Sequence, residues 1–359
     1  MSDYSFSDRS SSFGSNEQGS PMDEDGRSTT ASSLSAAPSI YSFNSERDGM
    51  ALIRYIQGRA FNAQNDLYFL PADDVEFERL EKYHLVHLVS LGQLYIEPER
   101  VRRIMAPSEG EEKRVLDLGT GCGNWVAGMA QEFPHAEVVG VDLAPNTAVP
   151  LPPNARLEFD DFNLGLSHYY DSFDVVHARG VSNGVADFRQ FIHEAAKCLK
   201  PGGIILIADG DHNLLNERKE LQEIAFGDGG PGQSWLAREG TNALKRRGSS
   251  ADERLILYEI LSDCPLLEDV GEHSEFIPIG PWERGATPAE DQKRHILGIL
   301  ERQALIGLIK SMGPLFISEG FPSTLVNQMI DGTEKELNEL TVHMYIRWRY
   351  TFGIRNGVQ

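Results

Sequence analysis

Residues 115–125 read Val115-Leu116-Asp117-Leu118-Gly119-Thr120-Gly121-Cys122-Gly123-Asn124-Trp125. A short apolar run ends in an acid, turns through three alternating glycines and enters an apolar segment reaching Phe133, which is the pattern of strand, tight loop and helix. Glycine admits positive φ and lets a ligand approach the backbone closely. The helix start that follows offers unsatisfied N–H groups to whatever lies there. The spacing is G-x-G-x-G, one residue shorter than the dinucleotide pattern G-x-G-x-x-G. Asp117, two residues ahead of the first glycine, would repel a pyrophosphate and suits a ligand with a cationic end. A glycine turn without a ligand is the competing reading of this loop taken alone.

The segments that follow reduce that alternative. Val138–Asp142 is a second apolar run ending in an acid, about twenty residues past the loop, where a carboxylate takes ribose hydroxyls. Arg156–Asp161 is a third, Phe173–His177 a fourth, and Gly203–Asp209 a fifth, entered through Leu199-Lys200-Pro201-Gly202-Gly203. Strands alternating with helical stretches predict a doubly wound, mostly parallel, seven-stranded α/β sheet with ligand at the C-terminal strand ends. In this order the motifs of residues 115–209 resemble those of the class I S-adenosylmethionine-dependent methyltransferases. The resemblance implies a Rossmann-like fold with S-adenosyl-L-methionine as cofactor. It places Asp117, Gly119, Thr120, Gly121 and Gly123 at the methionine end and Asp142 and Leu143 at the ribose. Asp161 and the backbone of Phe162 come at the adenine, with Asp160 as the alternative acid.

Outside this core, Tyr68-x-Leu70-Pro71-x-Asp73-x-x-Glu76-x-x-Arg79-Leu80 and Pro278-Ile279-Gly280-Pro281-Trp282 narrow the resemblance to the fungal LaeA-like methyltransferases, over about residues 55 to 356. Tyr83 departs from that pattern, where glutamine is usual, and Ile204-Ile205-Leu206 stands where Trp-x-Glu is common. The resemblance implies a lid over the cofactor beginning at Tyr68. Read by period, Glu76–Leu88 is a helix with Asp73 or Asp74 as N-cap; a packing helix with a solvated face is the alternative. Helical runs are expected at Glu217–Ile224, Arg254–Leu261, Lys293–Met312 and Ser323–Leu340, with strands at Leu267–Ile279 and His343–Phe352. Gly227–Gly232 reads as a loop or mobile flap. The expected layout is a Ser/Gly/acidic disordered tail over 1–48 and a methyltransferase domain over 49–359. The domain divides into N-terminal lid helices (49–110), a cofactor-binding core (111–210), core completion with a helical cap (211–340) and a final strand and C-terminus (341–359).

A formal net charge of −21 and a pI near 4.9 disfavour nucleic-acid backbones and anionic membranes as partners. Lys245-Arg246-Arg247 is the one basic cluster and reads as a solvated loop. Three cysteines have neither disulfide-framework nor metal spacing, so no metal is expected and a reducing interior fits. No apolar run reaches the roughly 18 residues of a membrane span. The expected compartment is the cytoplasm, with the nucleus as the alternative. The tail carries eight acids against three arginines, too polar to offset its ordering entropy, and is a candidate protein-binding segment.

Methyl transfer is an in-line displacement, so the protein must align the reactants and exclude water. The fourth strand ends in His177-Ala178-Arg179-Gly180, without the Asn/Asp-Pro-Pro-Tyr/Phe motif of amide and nucleobase enzymes, which favours an oxygen acceptor. His177 and Arg179 are placed at the cofactor, and His177, His212 and His84 are the candidate bases for a hydroxyl. A carboxylate acceptor needs no base. The functional expectation is O-methylation of a small metabolite in a fungal secondary-metabolite pathway. A LaeA-like regulator acting through protein partners is the runner-up, and a cofactor-binding scaffold without transfer the third reading.

Overall fold

The computed structural model describes residues 52–145, 149–222 and 232–357. The tail over 1–48 and the glycine run 227–231 lie outside them. The described chain opens with a hairpin, β1 (Ile53–Ile56) and β2 (Arg59–Asn62), paired antiparallel. Gln57 and Gly58 join the strands at φ 51° and 79°; two residues at positive φ match the right-handed strand twist. The expectation of helices alone over 49–110 is corrected by this hairpin. Helix α1 (Asp74–Leu91) follows. The Asp73 carboxylate caps it by accepting from the Glu76 N–H, and the helix stops at Gly92 with φ 72°, as left-handed C-caps do. Helix α2 (Pro98–Ile104) leads into the sheet.

Strands β3 (Arg114–Leu118), β4 (Glu137–Asp142), β5 (Ala155–Phe159), β6 (Phe173–Arg179) and β7 (Leu199–Gly210) are parallel, with α3 (Asn124–Glu132) and α4 (Phe188–Cys198) among their connections. Helix α5 (Gly232–Arg246) and α6 (Leu257–Asp263) precede β8 (Leu267–Ile279). Three helices, α7 (Pro288–Ser311), α8 (Gly313–Ser318) and α9 (Ser323–Glu339), separate it from β9 (Met344–Arg355). The sheet order is β5-β4-β3-β6-β7-β9-β8, with β9 antiparallel to both neighbours. It is the seven-stranded, mostly parallel, Rossmann-like sheet that the sequence predicts. Strand order reverses at β3, so the crevice beyond β3 and β6 is the expected ligand position.

Alternation along the strands builds two cores, one on each face. Val115, Val138, Val175 and Ile204 face α3 and the cap side, while Leu116, Val139, Val176 and Ile205 face α4 and α6. Each is fully buried, and each such side chain contributes roughly 1.5–3 kcal/mol.

Two local expectations change. Residues 217–222 form a turn closed by a bridge between Leu215 and Leu221, not the start of a helix. The basic cluster is the end of α5 rather than a solvated loop. Lys245 pairs with Asp252 and Arg246 with Glu319, and the Arg247 guanidinium lies 3.9 Å over the Phe69 ring. Among the described residues no helix is long and apolar enough to cross a membrane.

Candidate active site

The loop after β3 folds back on β4. The N–H groups of Gly119 and Thr120 both donate to the Val141 carbonyl, at 2.8 and 3.0 Å. The Gly121 N–H donates to Asp142 Oδ2 at 2.7 Å, and the Leu143 N–H to Oδ1 at 2.8 Å. Gly119, Gly121 and Gly123 all have positive φ. A Cβ on Gly119 would meet Val181 Cγ1 at 2.5 Å, and one on Gly121 would meet Leu80 Cδ1 at 3.1 Å. Val181, and Leu80 of α1, thus leave no room for a side chain at these two positions. Burial pushes the Asp142 carboxyl up, against the pull of the backbone N–H groups on it.

Register places Asp117 beside His177 on adjacent parallel strands. His177 Nδ1 donates to Asp117 Oδ1 at 2.6 Å, and the imidazole stacks on Trp125 with centroids 3.8 Å apart. Burial holds the His177 ring below its ordinary pKa despite the carboxylate. Its Nε2 has no hydrogen-bond partner among the described residues.

The other two histidines are committed. Arginine only donates, so the contact of Arg179 Nη2 with His84 Nδ1 at 3.1 Å makes that nitrogen the acceptor. Burial first, then the Arg179 charge, lowers His84 to about 3. Arg254 Nη1 likewise donates to His212 Nε2 at 2.5 Å, which leaves Nδ1–H to donate to Thr241 Oγ1. Burial and Arg254 hold His212 well below its ordinary value.

At the other end, Asp161 is buried and caps a short 3-10 turn over Phe162–Leu164. Its Oδ2 accepts from Asn65 Nδ2 at 2.7 Å. Asp160 turns the other way, to His168 at 2.9 Å. Asn65 also accepts from the Tyr68 N–H, and Gln64 Nε2 donates to the Leu143 carbonyl at 3.3 Å. The segment from the hairpin to Tyr68 is therefore fastened to the ends of β4 and β5. The Tyr68 ring lies against Gly184, and burial pushes its hydroxyl up.

One cavity, about 1270 Å³ with its open mouth included, joins these parts. Asp117, the loop glycines 119 and 121, Thr120, His177, Arg179, His212 and Tyr68 line it. Gly123, His84, Asp142, Leu143, Asp160, Asp161 and Phe162 do not, and stand behind or beside its wall. Opposite the loop the wall is apolar, with Leu305, Leu308, Ile309 and Met312 from α7 and its C-terminus, Phe316 from α8 and Leu236 from α5. Trp348 of β9 covers the ends of β6 and β7, 3.8 Å from the Cβ position of Gly180 and 3.1 Å from that of Gly210.

Sequence reading missed Asn65, Arg254, Trp348 and Glu301. The first three lie in no recognisable spacing relative to the glycine loop. Glu301 reads as one more solvated acid on an amphipathic helix, yet it is fully buried. Neither of its oxygens has a hydrogen-bond partner among the described residues. No group of three or more His, Cys, Asp or Glu is placed to hold a metal among those residues.

The site fits S-adenosylmethionine. The glycine loop lines the cavity at positive φ, the buried Thr120 hydroxyl has no partner among the described residues, and the Asp117 carboxylate suits an ammonium group. A sequence model described as a methyltransferase domain matches residues 93–248. The secondary metabolism regulator laeA of Coprinopsis cinerea is 32% identical over 84% of this chain and 73% of its own length. Methyltransferase str2 of Strobilurus tenacellus is 32% identical over 42% of this chain and 52% of its own. Among solved structures, a phosphoethanolamine N-methyltransferase 2 of Haemonchus contortus aligns over 83% of this chain and 62% of that one, at 17% identity and a TM-score of 0.42. Matched to laeA along most of both chains, and carrying the glycine loop on the expected sheet, the protein belongs to the LaeA-like family of class I S-adenosylmethionine-dependent methyltransferases.

Proposed function

We propose that the protein methylates an oxygen of a small, largely apolar metabolite, in a fungal secondary-metabolite pathway and in the cytoplasm. The observation that carries this reading is the cavity, which passes from the glycine loop into an apolar wall built by the cap helices. Such a concave, mostly apolar space with few polar groups suits a small acceptor. The names of the relatives, a regulator of secondary metabolism and a methyltransferase, support the same setting.

When bound, S-adenosylmethionine supplies an electrophilic methyl group on a sulfonium sulfur. Asp117 would hold the ammonium end, with Gly119, Thr120, Gly121 and Gly123 beneath the methionine. Asp142 and Leu143 would meet the ribose. Asp161 and the Phe162 backbone would edge the adenine. For a hydroxyl acceptor His177 is the base. Its Nδ1–H is anchored on Asp117, its plane is fixed by Trp125, and its Nε2 lone pair remains for a proton. His84 and His212 have given their lone pairs to arginines and act through them. Tyr68 and α1 cover the loop and keep water from the methyl group.

The test is label transfer from methyl-labelled cofactor to a panel of apolar phenols, alcohols and carboxylic acids. Label is expected in the organic extract. Leu308→Trp, which fills the apolar wall, should lower transfer at least about tenfold with cofactor affinity unchanged. Label found only in precipitated protein overturns the reading. It would favour the second one, a regulator that acts through protein partners in the nucleus, with the segment 1–48 as a partner-binding arm. The similarity to laeA over 84% of the chain supports that alternative.

A further inference from the structure

Three arginines line the cavity, and two of them are neutralised. Arg79 is paired with Glu76, and Arg254 lies 3.6 Å from Asp209. Arg179, at the end of β6, has no carboxylate within ion-pair distance among the described residues. Its one hydrogen-bond partner is the uncharged His84 ring. Arg179 lines the cavity whose opposite wall is apolar, and a guanidinium in such a space suits a carboxylate.

The remaining charges make the demand specific. Asp211 and Glu272 balance Arg347 and Arg349 at the rim. That leaves Arg179 against Asp117, and the lining sums to zero. The cofactor adds one positive charge, because its ammonium and carboxylate cancel and its sulfonium does not. This holds whether Arg179 meets the cofactor's carboxylate or another. A buried site carrying one excess positive charge favours an acceptor carrying one negative charge.

We infer that the acceptor is an organic acid, its apolar body against the cap helices and its carboxylate directed to Arg179, and that the product is its methyl ester. The inference rests on the O-methylation reading and narrows it. A carboxylate oxygen forms the new C–O bond as the C–S bond breaks, and the bonding pair leaves on sulfur. No proton moves, so no base is needed. One positive and one negative charge disappear together, which a low-dielectric cavity favours.

Calorimetry on the full chain tests this with cinnamate and decanoate, each beside its methyl ester. The chain is loaded either with sinefungin, which carries the extra positive charge and no transferable methyl, or with neutral S-adenosylhomocysteine. Each acid should bind at least about tenfold more tightly than its ester, and more tightly to the sinefungin complex. Arg179→Gln should remove the preference in both complexes, and Arg179→Lys should keep part of it. Acids and esters binding alike, or no acid binding to the sinefungin complex, overturns the inference. So does an Arg179→Gln variant that loses cofactor affinity and keeps the acid preference. Methylation of phenols that is lost in His177→Gln, with acids untouched, sinks the acid acceptor and leaves O-methylation standing. Label confined to protein sinks both.

Discussion

Glu301 makes the stability of this protein depend on pH in a way that one substitution should remove. The carboxyl sits on α7, fully buried, with no hydrogen-bond partner among the described residues. Burial pushes it up to about 8, against the opposing pull of Arg79. In the unfolded chain a glutamate titrates near about 4.3. Between those values the folded state holds one proton that the unfolded state has released, so stability falls as pH rises. The contribution is fully present below about pH 4.3 and is lost by about pH 8, at roughly 1.4 kcal/mol per pH unit and about 5 kcal/mol in all. Glu301→Gln keeps the shape and cannot ionise. Its melting temperature, measured by scanning calorimetry at pH 5, 6.5 and 8, should rise relative to the parent by about 2 °C for each pH unit. Every other titrating group cancels in that difference. A gap that stays constant from pH 5 to pH 8, whatever its sign, refutes the argument.

Two further outcomes follow from the geometry of the loop and its cover. Gly121→Val should lower cofactor affinity at least about tenfold by calorimetry, because a side chain must adopt positive φ there and would press on Leu80; unchanged affinity in the folded variant refutes the placement. Residues 68–84 should gain amide-exchange protection when S-adenosylhomocysteine binds, if this segment closes as a lid. Exchange that is indifferent to ligand makes it a fixed wall.

Much of the architecture was legible because it is written in short-range periods. Val115–Leu118 alternates between two buried faces, and Gly119, Gly121 and Gly123 mark a loop that must take positive φ. Leu267–Ile279 came out with the expected ends; α7 starts ahead of the expected Lys293, and α7 and α9 each end one residue short of the expected helix. The hairpin went unread because four-residue strands give too few alternations, although Gln57-Gly58 was a usable turn signal. Glu217–Leu221 has the composition of a helix, yet the pairing of Leu215 with Tyr345 in β9 draws it into a turn.

By itself the sequence determined the strand–loop–helix of the cofactor site, the order of the strands along the chain and the resemblance they carry, since each depends on residues a few positions apart. It also named His84, His177 and His212 without being able to rank them. Tertiary structure shows which ring nitrogens are already engaged, on which a histidine's chemistry depends. Asp117 reaches His177 across 60 residues of chain, Arg179 reaches His84 across 95, and Arg254 reaches His212 across 42. Only folding made Glu301 a buried acid and left Arg179 with no carboxylate within ion-pair distance among the described residues, for burial and charge pairing are properties of what surrounds a side chain in space rather than of its neighbours in sequence.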